Sequence, residues 1–323
     1  MNDSGMASVV AAGIPGPVPA PVVSVKPVVL PAPERGEGLR VRVSAPATGG
    51  DLPVVLLSHG FGSSLEGYGP LADYWAAHGF AVIQPTHLDS RTLSLSGDDP
   101  RRPQMWRLRV EDMKRILDDL DLLEAAVPGL AGRLDRGRIA ASGHSFGGQT
   151  AGVLLGMRVR DPQTGVSEDL SDPRIRAGVL LATAGDGGHL TPFAVENFPW
   201  LIGPDFSQLT TPTLVVAGEQ DDLPLTVRGA DWTTDAYFLS PGAESLLTLF
   251  GAGHSLGGIP GYEAAETTDE NPSRVALIQQ VTLAYLRHAL GIDGSGWETM
   301  RKTFSQAPHP LGRLDVASES WDK

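Results

Sequence analysis

The sequence contains no cysteine. Disulfides, thiolate catalysis and cysteine-ligated zinc or iron–sulfur sites are therefore excluded. Positive charge is scarce: 25 Lys and Arg stand against 38 Asp and Glu, a net charge of −13. Such a chain repels phosphate backbones, so nucleic acid is not an expected partner. No apolar run reaches the ~18–20 residues of a membrane span. No run of like charge is long enough to act as a binding tail. A strict glycine period is missing as well, so the 39 Gly and 26 Pro mark turns and loops rather than collagen. No repeat recurs in the range of roughly 20–50 residues.

The first residues lack the basic segment of a secretory signal, and residues 1–20 are expected to form a disordered leader with a polyproline-like portion. A cysteine-free composition fits a reducing cytosol and equally an exported bacterial protein. The cytoplasm is the expected location, with export left open.

What the chain does have is 323 residues with 41% hydrophobic content, enough for a sizeable buried core. Short β-branched apolar runs alternate with helical patterns. Strands are expected at Val22–Leu30, Leu39–Ala45, Pro53–Ser58, Ala81–Gln84, Arg138–Ser142, Ala177–Ala182, Thr213–Ala217 and Ser245–Phe250. The continuous apolar run of Val54-Val55-Leu56-Leu57 suits a strand buried on both faces. Helices are expected at Gly69–His78, Met105–Ala126, Gly147–Gly156 and Pro272–Leu290. In the second of these, Leu108, Met113, Ile116, Leu117, Leu120 and Leu123 recur near a 3.6 period. Two strands followed by alternating strand and helix predict a mostly parallel sheet of about eight strands with helices on both faces. Ligands bind such sheets beyond the carboxyl ends of the strands. Two stretches, 86–104 and 183–212, are too long for ordinary connections. The second is rich in aromatics and is expected to cap or wall a pocket. One domain over 21–294 and a C-terminal tail over 295–323 complete the layout.

Gly143-His144-Ser145-Phe146-Gly147 reads G-x-S-x-G between an apolar strand and a helical segment. That context is the one a nucleophile elbow needs. The turn is tight, so small residues must flank it, and the serine takes a strained conformation that exposes its hydroxyl. The helix start beyond it offers free N–H groups and a positive dipole end to a developing oxyanion. A serine needs a base, and the base needs an orienting group. In this motif's chain order the acid follows the serine and the histidine comes last. Thr213–Ala217 is followed by Gly218-Glu219-Gln220-Asp221-Asp222, and Asp221 is the expected acid, with Asp222 and Glu219 as alternatives. After the next strand comes Gly251-Ala252-Gly253-His254-Ser255, and His254 is the expected base. His189 precedes the acid and lies out of order, while His288 sits within a helical pattern. Ser58-His59-Gly60-Phe61-Gly62 follows the strand ending at Leu57. It supplies the N–H of Phe61 to an oxyanion hole, with Gly62 as an alternative, and the N–H of Phe146 supplies the second donor. His59 is expected to stiffen this turn by hydrogen bonding.

These four motifs, in this order, resemble the α/β-hydrolase superfamily. GHSFGG and SHGFG are similar to the branch holding dienelactone hydrolase-like, chlorophyllase-like and platelet-activating-factor acetylhydrolase-like serine hydrolases. The resemblance spans residues 22–290 and implies the α/β-hydrolase fold. The nucleophile here is Ser145, whereas many dienelactone hydrolases use cysteine, which speaks against that reaction. No phospholipid- or phytol-specific motif is present. The expected activity is hydrolysis of a hydrophobic small-molecule carboxylic ester through an acyl-enzyme, with no metal and no organic cofactor. An amidase or peptidase and an acyltransferase would use the same residues. A dehalogenase of this fold would carry Asp in place of Ser145. Phe61, Leu88, Trp106, Phe193, Trp200 and Leu256 are the expected pocket residues. Oligomeric state is not legible.

Overall fold

The computed structural model describes residues 17–261 and 269–317. The expected leader lies outside the described residues except for 17–20. In chain order the elements are β1 (Val22–Leu30), β2 (Leu39–Pro46), β3 (Leu52–Ser58), α1 (Gly69–Ala77), β4 (Ala81–Pro85), α2 (Met105–Asp118), α3 (Leu120–Ala126), β5 (Leu134–His144), α4 (Phe146–Leu154), β6 (Arg158–Val159), β7 (Ile175–Leu181), α5 (Pro192–Asn197), β8 (Pro204–Asp205), β9 (Thr213–Gly218), α6 (Asp235–Leu239), β10 (Ala243–Leu249), α7 (Pro272–Ala289), α8 (Ser295–Gln306) and β11 (Gly312–Val316).

Nine strands form one sheet in the order β1-β2-β4-β3-β5-β7-β9-β10-β11. β2 runs antiparallel to both its neighbours, and the strands from β4 through β3 to β10 are parallel. This is the α/β-hydrolase arrangement. Its physical basis is the two-sided burial of the central strands. Val54 and Leu56 of β3 enter one apolar cluster with Met113 and Ile116 of α2 and Ala151 of α4. Val55 and Leu57 enter the opposite cluster with Trp75 of α1 and Val281 of α7. Alternation with period two thus feeds both faces, and helices cover each.

Three features depart from the sequence reading. The helix expected over Met105–Ala126 breaks at Asp119, which leaves helical geometry at φ −106°, ψ 24°. Its carbonyl then accepts the N–H groups of Leu122 and Leu123 to start α3. The sheet has a ninth strand, β11, which pairs antiparallel with β10 from Ser245↔Val316 to Leu249↔Gly312. Residues 295–316, given no role by the sequence, thus form α8 and the sheet edge. Finally, β6 and β8 form a separate two-stranded ribbon. No helix among the described residues is long and apolar enough to cross a membrane.

Register places the strand ends side by side. Ser58 at the end of β3 pairs with Gly143 of β5, and Gly218 of β9 pairs with Leu249 of β10. The turns that follow these four positions therefore emerge at one rim of the sheet.

Candidate active site

Ser145 sits between β5 and α4 with φ 57° and ψ −120°. A non-glycine residue with positive φ is strained, and the surrounding structure must hold it there. Two glycines make the turn possible. A Cβ on Gly143 would lie 2.0 Å from the Gly147 carbonyl oxygen, and one on Gly147 would lie 2.0 Å from that of Ser58. Backbone crowds both positions, so no side chain fits.

His254 Nδ1 lies 3.0 Å from both carboxylate oxygens of Asp221. Asp221 is 1% exposed, whereas Asp222 and Glu219 face solvent and Glu219 accepts the Gly251 N–H at 2.9 Å. Of the three candidate carboxylates, Asp221 is the one that meets the imidazole. The histidine turn is held from behind, because Asp269 accepts the N–H groups of Gly253 and Gly257 at 2.8 and 2.9 Å. Ser145 and His254 border the same cavity, of about 680 Å³. With Nδ1 engaged by Asp221, Nε2 is the imidazole nitrogen left for the serine hydroxyl.

The Gly60-Phe61-Gly62 turn forms another wall of this cavity. Its hydrogen bonding singles out one donor. The Gly60 N–H donates to Tyr68 Oη at 3.0 Å, and the Gly62 N–H donates to Asp89 Oδ2 at 2.9 Å. Among the described residues the Phe61 N–H, between them, has no acceptor. Gly62, the alternative, is thus occupied. The Phe146 N–H opens α4, where the first N–H groups have no intrahelical acceptor.

A buried polar network supports the turn from below. Arg109 is fully buried and pairs with Asp89 at 2.8 Å. It also donates to Ser58 Oγ at 3.2 Å, to the His59 carbonyl and to Thr150 Oγ1. Its guanidinium lies 4.4 Å from the Phe146 ring centroid. Ser58 Oγ meets His87 Nε2 at 2.9 Å, and His87 Nδ1 meets Asp112 at 2.9 Å beside Arg35. Burial pulls the Asp112 carboxyl up to about 7 and His87 well down. Burial, then Arg109, lowers His59 to about 4, so its ring is neutral. His59 Nδ1 donates to the Gly60 carbonyl at 2.7 Å while Nε2 accepts the His87 N–H at 3.0 Å. This is the stiffening role expected of it.

Tyr68 and His144 tie the three turns together. His144 Nε2 donates to the His254 carbonyl at 2.7 Å, so its Nδ1 accepts from the Tyr68 hydroxyl at 2.8 Å. The same hydroxyl oxygen accepts the Gly60 N–H. Burial, then the neighbouring His254, lowers His144 to about 3, which keeps it in this neutral tautomer. Sequence reasoning did not single out Tyr68. His144 was visible in the motif only as the residue before the serine.

The expected pocket residues divide. Phe61, Phe193 and Trp200 line the cavity, as do Phe146 and Phe198. Phe198 stands edge-on to Phe61 at 5.5 Å and to Trp200 at 5.7 Å, while Phe146 stacks on Trp200 at 5.3 Å. The 183–212 excursion is thus an aromatic wall. The 86–104 excursion contributes Arg91 and Thr92 to the lining and Asp89 to the turn. Leu88, Trp106 and Leu256 do not border the cavity. Leu88 and Trp106 pack in the cluster under α2. Leu256, at φ 50°, turns into the cluster on the opposite sheet face. A second wall escaped the sequence reading: Leu223, Pro224, Leu225 and Trp232, just beyond Asp221. His189 and His288 are exposed and away from the cavity lining. Among the described residues no three His, Asp or Glu side chains gather as a metal site would need.

A family model described as Chlorophyllase matches residues 22–162. The curated platelet-activating factor acetylhydrolase of Cavia porcellus is 26% identical over 170 residues, 42% of this chain and 35% of that protein. The chain therefore spans about a third of the length of that relative.

Proposed function

We propose that the chain, which has the α/β-hydrolase fold and resembles a chlorophyllase family model and a platelet-activating factor acetylhydrolase, is a hydrolase of hydrophobic carboxylic esters. The observation that carries this reading is the Asp221–His254 pair opening on the same cavity as the strained Ser145. Ser145 Oγ attacks the ester carbonyl carbon while His254 Nε2 takes its proton. The carbonyl oxygen becomes an oxyanion that accepts from the N–H groups of Phe61 and Phe146. Asp221 keeps the proton on Nδ1 and stabilises the imidazolium. Collapse breaks the bond to the alcohol oxygen, which receives the proton from His254. A water then attacks the acyl-enzyme, His254 takes one of its protons, and Ser145 leaves with that proton.

The aromatic wall supports an apolar acyl or alcohol group. Phe61 and Phe193 remain 46% and 53% exposed at its mouth, where a hydrophobic substrate would cover them. The test is turnover of p-nitrophenyl esters of graded acyl length, with matched anilides and with added alcohols. Turnover of esters that rises with chain length, and greatly exceeds that of anilides, is expected. Faster anilide cleavage would make the chain an amidase, and alcoholysis outrunning hydrolysis would make it an acyltransferase.

A further inference from the structure

Gln149 stands one turn along α4 from Ser145, and its N–H donates to the Ser145 carbonyl at 3.1 Å. The residue is 3% exposed with both of its amide atoms buried, and it borders the cavity. Both amide atoms, Oε1 and Nε2, lack a hydrogen-bond partner among the described residues. A buried amide with neither atom satisfied is costly.

We propose that Gln149 is a specificity-determining residue that binds an uncharged polar group of the substrate, one that both donates and accepts, of which a hydroxyl is the smallest. This rests on the ester-hydrolase reading and refines its substrate class: an ester with an apolar body and a hydroxyl two or three bonds from the scissile carbonyl. The chemistry selects the class. A ketone or carboxylate would use the amide N–H and leave Oε1 unpaired, and an ammonium would do the reverse. A hydroxyl accepts from Nε2 and donates to Oε1, whichever way the amide is turned. The position follows from the Gln149 main chain, which bonds that of Ser145 at the rim of the same cavity, so a group held by the amide sits close to the carbonyl under attack. Sites built to bond a substrate hydroxyl reject the analogue that lacks it.

The experiment compares ethyl 3-hydroxyhexanoate with ethyl hexanoate, in the wild type and in Gln149→Met, which keeps the side-chain length without its polar atoms. Hydrolysis is followed by acid release. Binding of the same two esters to Ser145→Ala and to the Ser145→Ala/Gln149→Met double variant is followed by calorimetry. The wild type is expected to favour the hydroxy ester about tenfold in kcat/KM, and Ser145→Ala to bind it about tenfold tighter, the net worth of such hydrogen bonding. Both preferences vanish with Gln149→Met, whose thermal melt remains that of a folded protein. Equal binding of the two esters to Ser145→Ala, or a preference that survives Gln149→Met, overturns the proposal. If the wild type hydrolyses neither ester, the hydrolase reading falls, and the calorimetry still decides the role of Gln149.

Discussion

Replacing Asp221 by Asn tests the acid position with almost no change of shape. In the protein both carboxylate oxygens lie 3.0 Å from His254 Nδ1. Either oxygen can accept the Nδ1 proton, which leaves Nε2 as the acceptor for the serine hydroxyl. An amide turned with its NH2 toward Nδ1 makes that nitrogen the acceptor instead. The proton then sits on Nε2, and the base is disabled in its ground state. Loss of this tautomer control costs about four orders of magnitude in kcat, or about 5 kcal/mol in the barrier at 1.36 kcal/mol per decade. Asp222 is one residue away and faces solvent, so Asp222→Asn should change kcat by less than about threefold, as surface substitutions away from special features do. The assay is steady-state turnover of p-nitrophenyl butyrate by both variants, with thermal melts to show intact folding. A loss below tenfold in Asp221→Asn, or an equal loss in Asp222→Asn, would refute the assignment.

Other consequences concern the scaffold. Tyr68→Phe removes the acceptor of the Gly60 N–H and the donor to His144 Nδ1. With about 1–3 kcal/mol for each unsatisfied buried group, urea denaturation should register a clear destabilisation, and kcat should fall more than KM changes. In Gly147→Ala the new Cβ would meet the Ser58 carbonyl at 2.0 Å, between main-chain atoms that cannot move aside. This variant should lose activity together with native near-ultraviolet dichroism, and full activity would show that the elbow is looser than its geometry implies. Acid should weaken the fold. His59 at about 4, His144 at about 3 and His87 well below its usual value are all held neutral by burial. The unfolded chain binds protons below about pH 6.5 that the folded chain refuses, so His59 and His144 each cost about 2 kcal/mol between pH 7 and pH 5, and His87 acts in the same direction. Asp112, drawn up to about 7, acts the other way and returns about 2 kcal/mol over the same window. Denaturation at the two pH values should show a net loss of stability at pH 5, and higher stability at pH 5 would contradict the buried-histidine account.

The strands and the rim were legible because two-sided burial writes itself as continuous apolar runs, as in Val54–Leu57, and because tight turns demand glycine. Gly143, Gly147 and Gly218 each have main-chain atoms where a Cβ would go, and that requirement is what made the motifs readable. The edge strand β11 was not legible: Gly-Arg-Leu-Asp-Val pairs on one side only, and Leu314 alone of its side chains packs on an apolar cluster. Nor was the lining. Leu88 and Leu256 sit in the same loops as cavity residues, yet their side chains turn into opposite clusters. Composition does not show which way a loop side chain turns. Tyr68 and Gln149 were missed for a related reason. Their importance lies in partners, or the lack of them, far off in sequence: Tyr68 reaches His144 across 76 positions.

Active-site labelling asks most directly whether Ser145 is the nucleophile. A fluorophosphonate probe, followed by peptide mass spectrometry, should modify the wild type on Ser145 alone and leave Ser145→Ala unmodified. Adduct on another residue, or undiminished labelling of Ser145→Ala, would contradict the account.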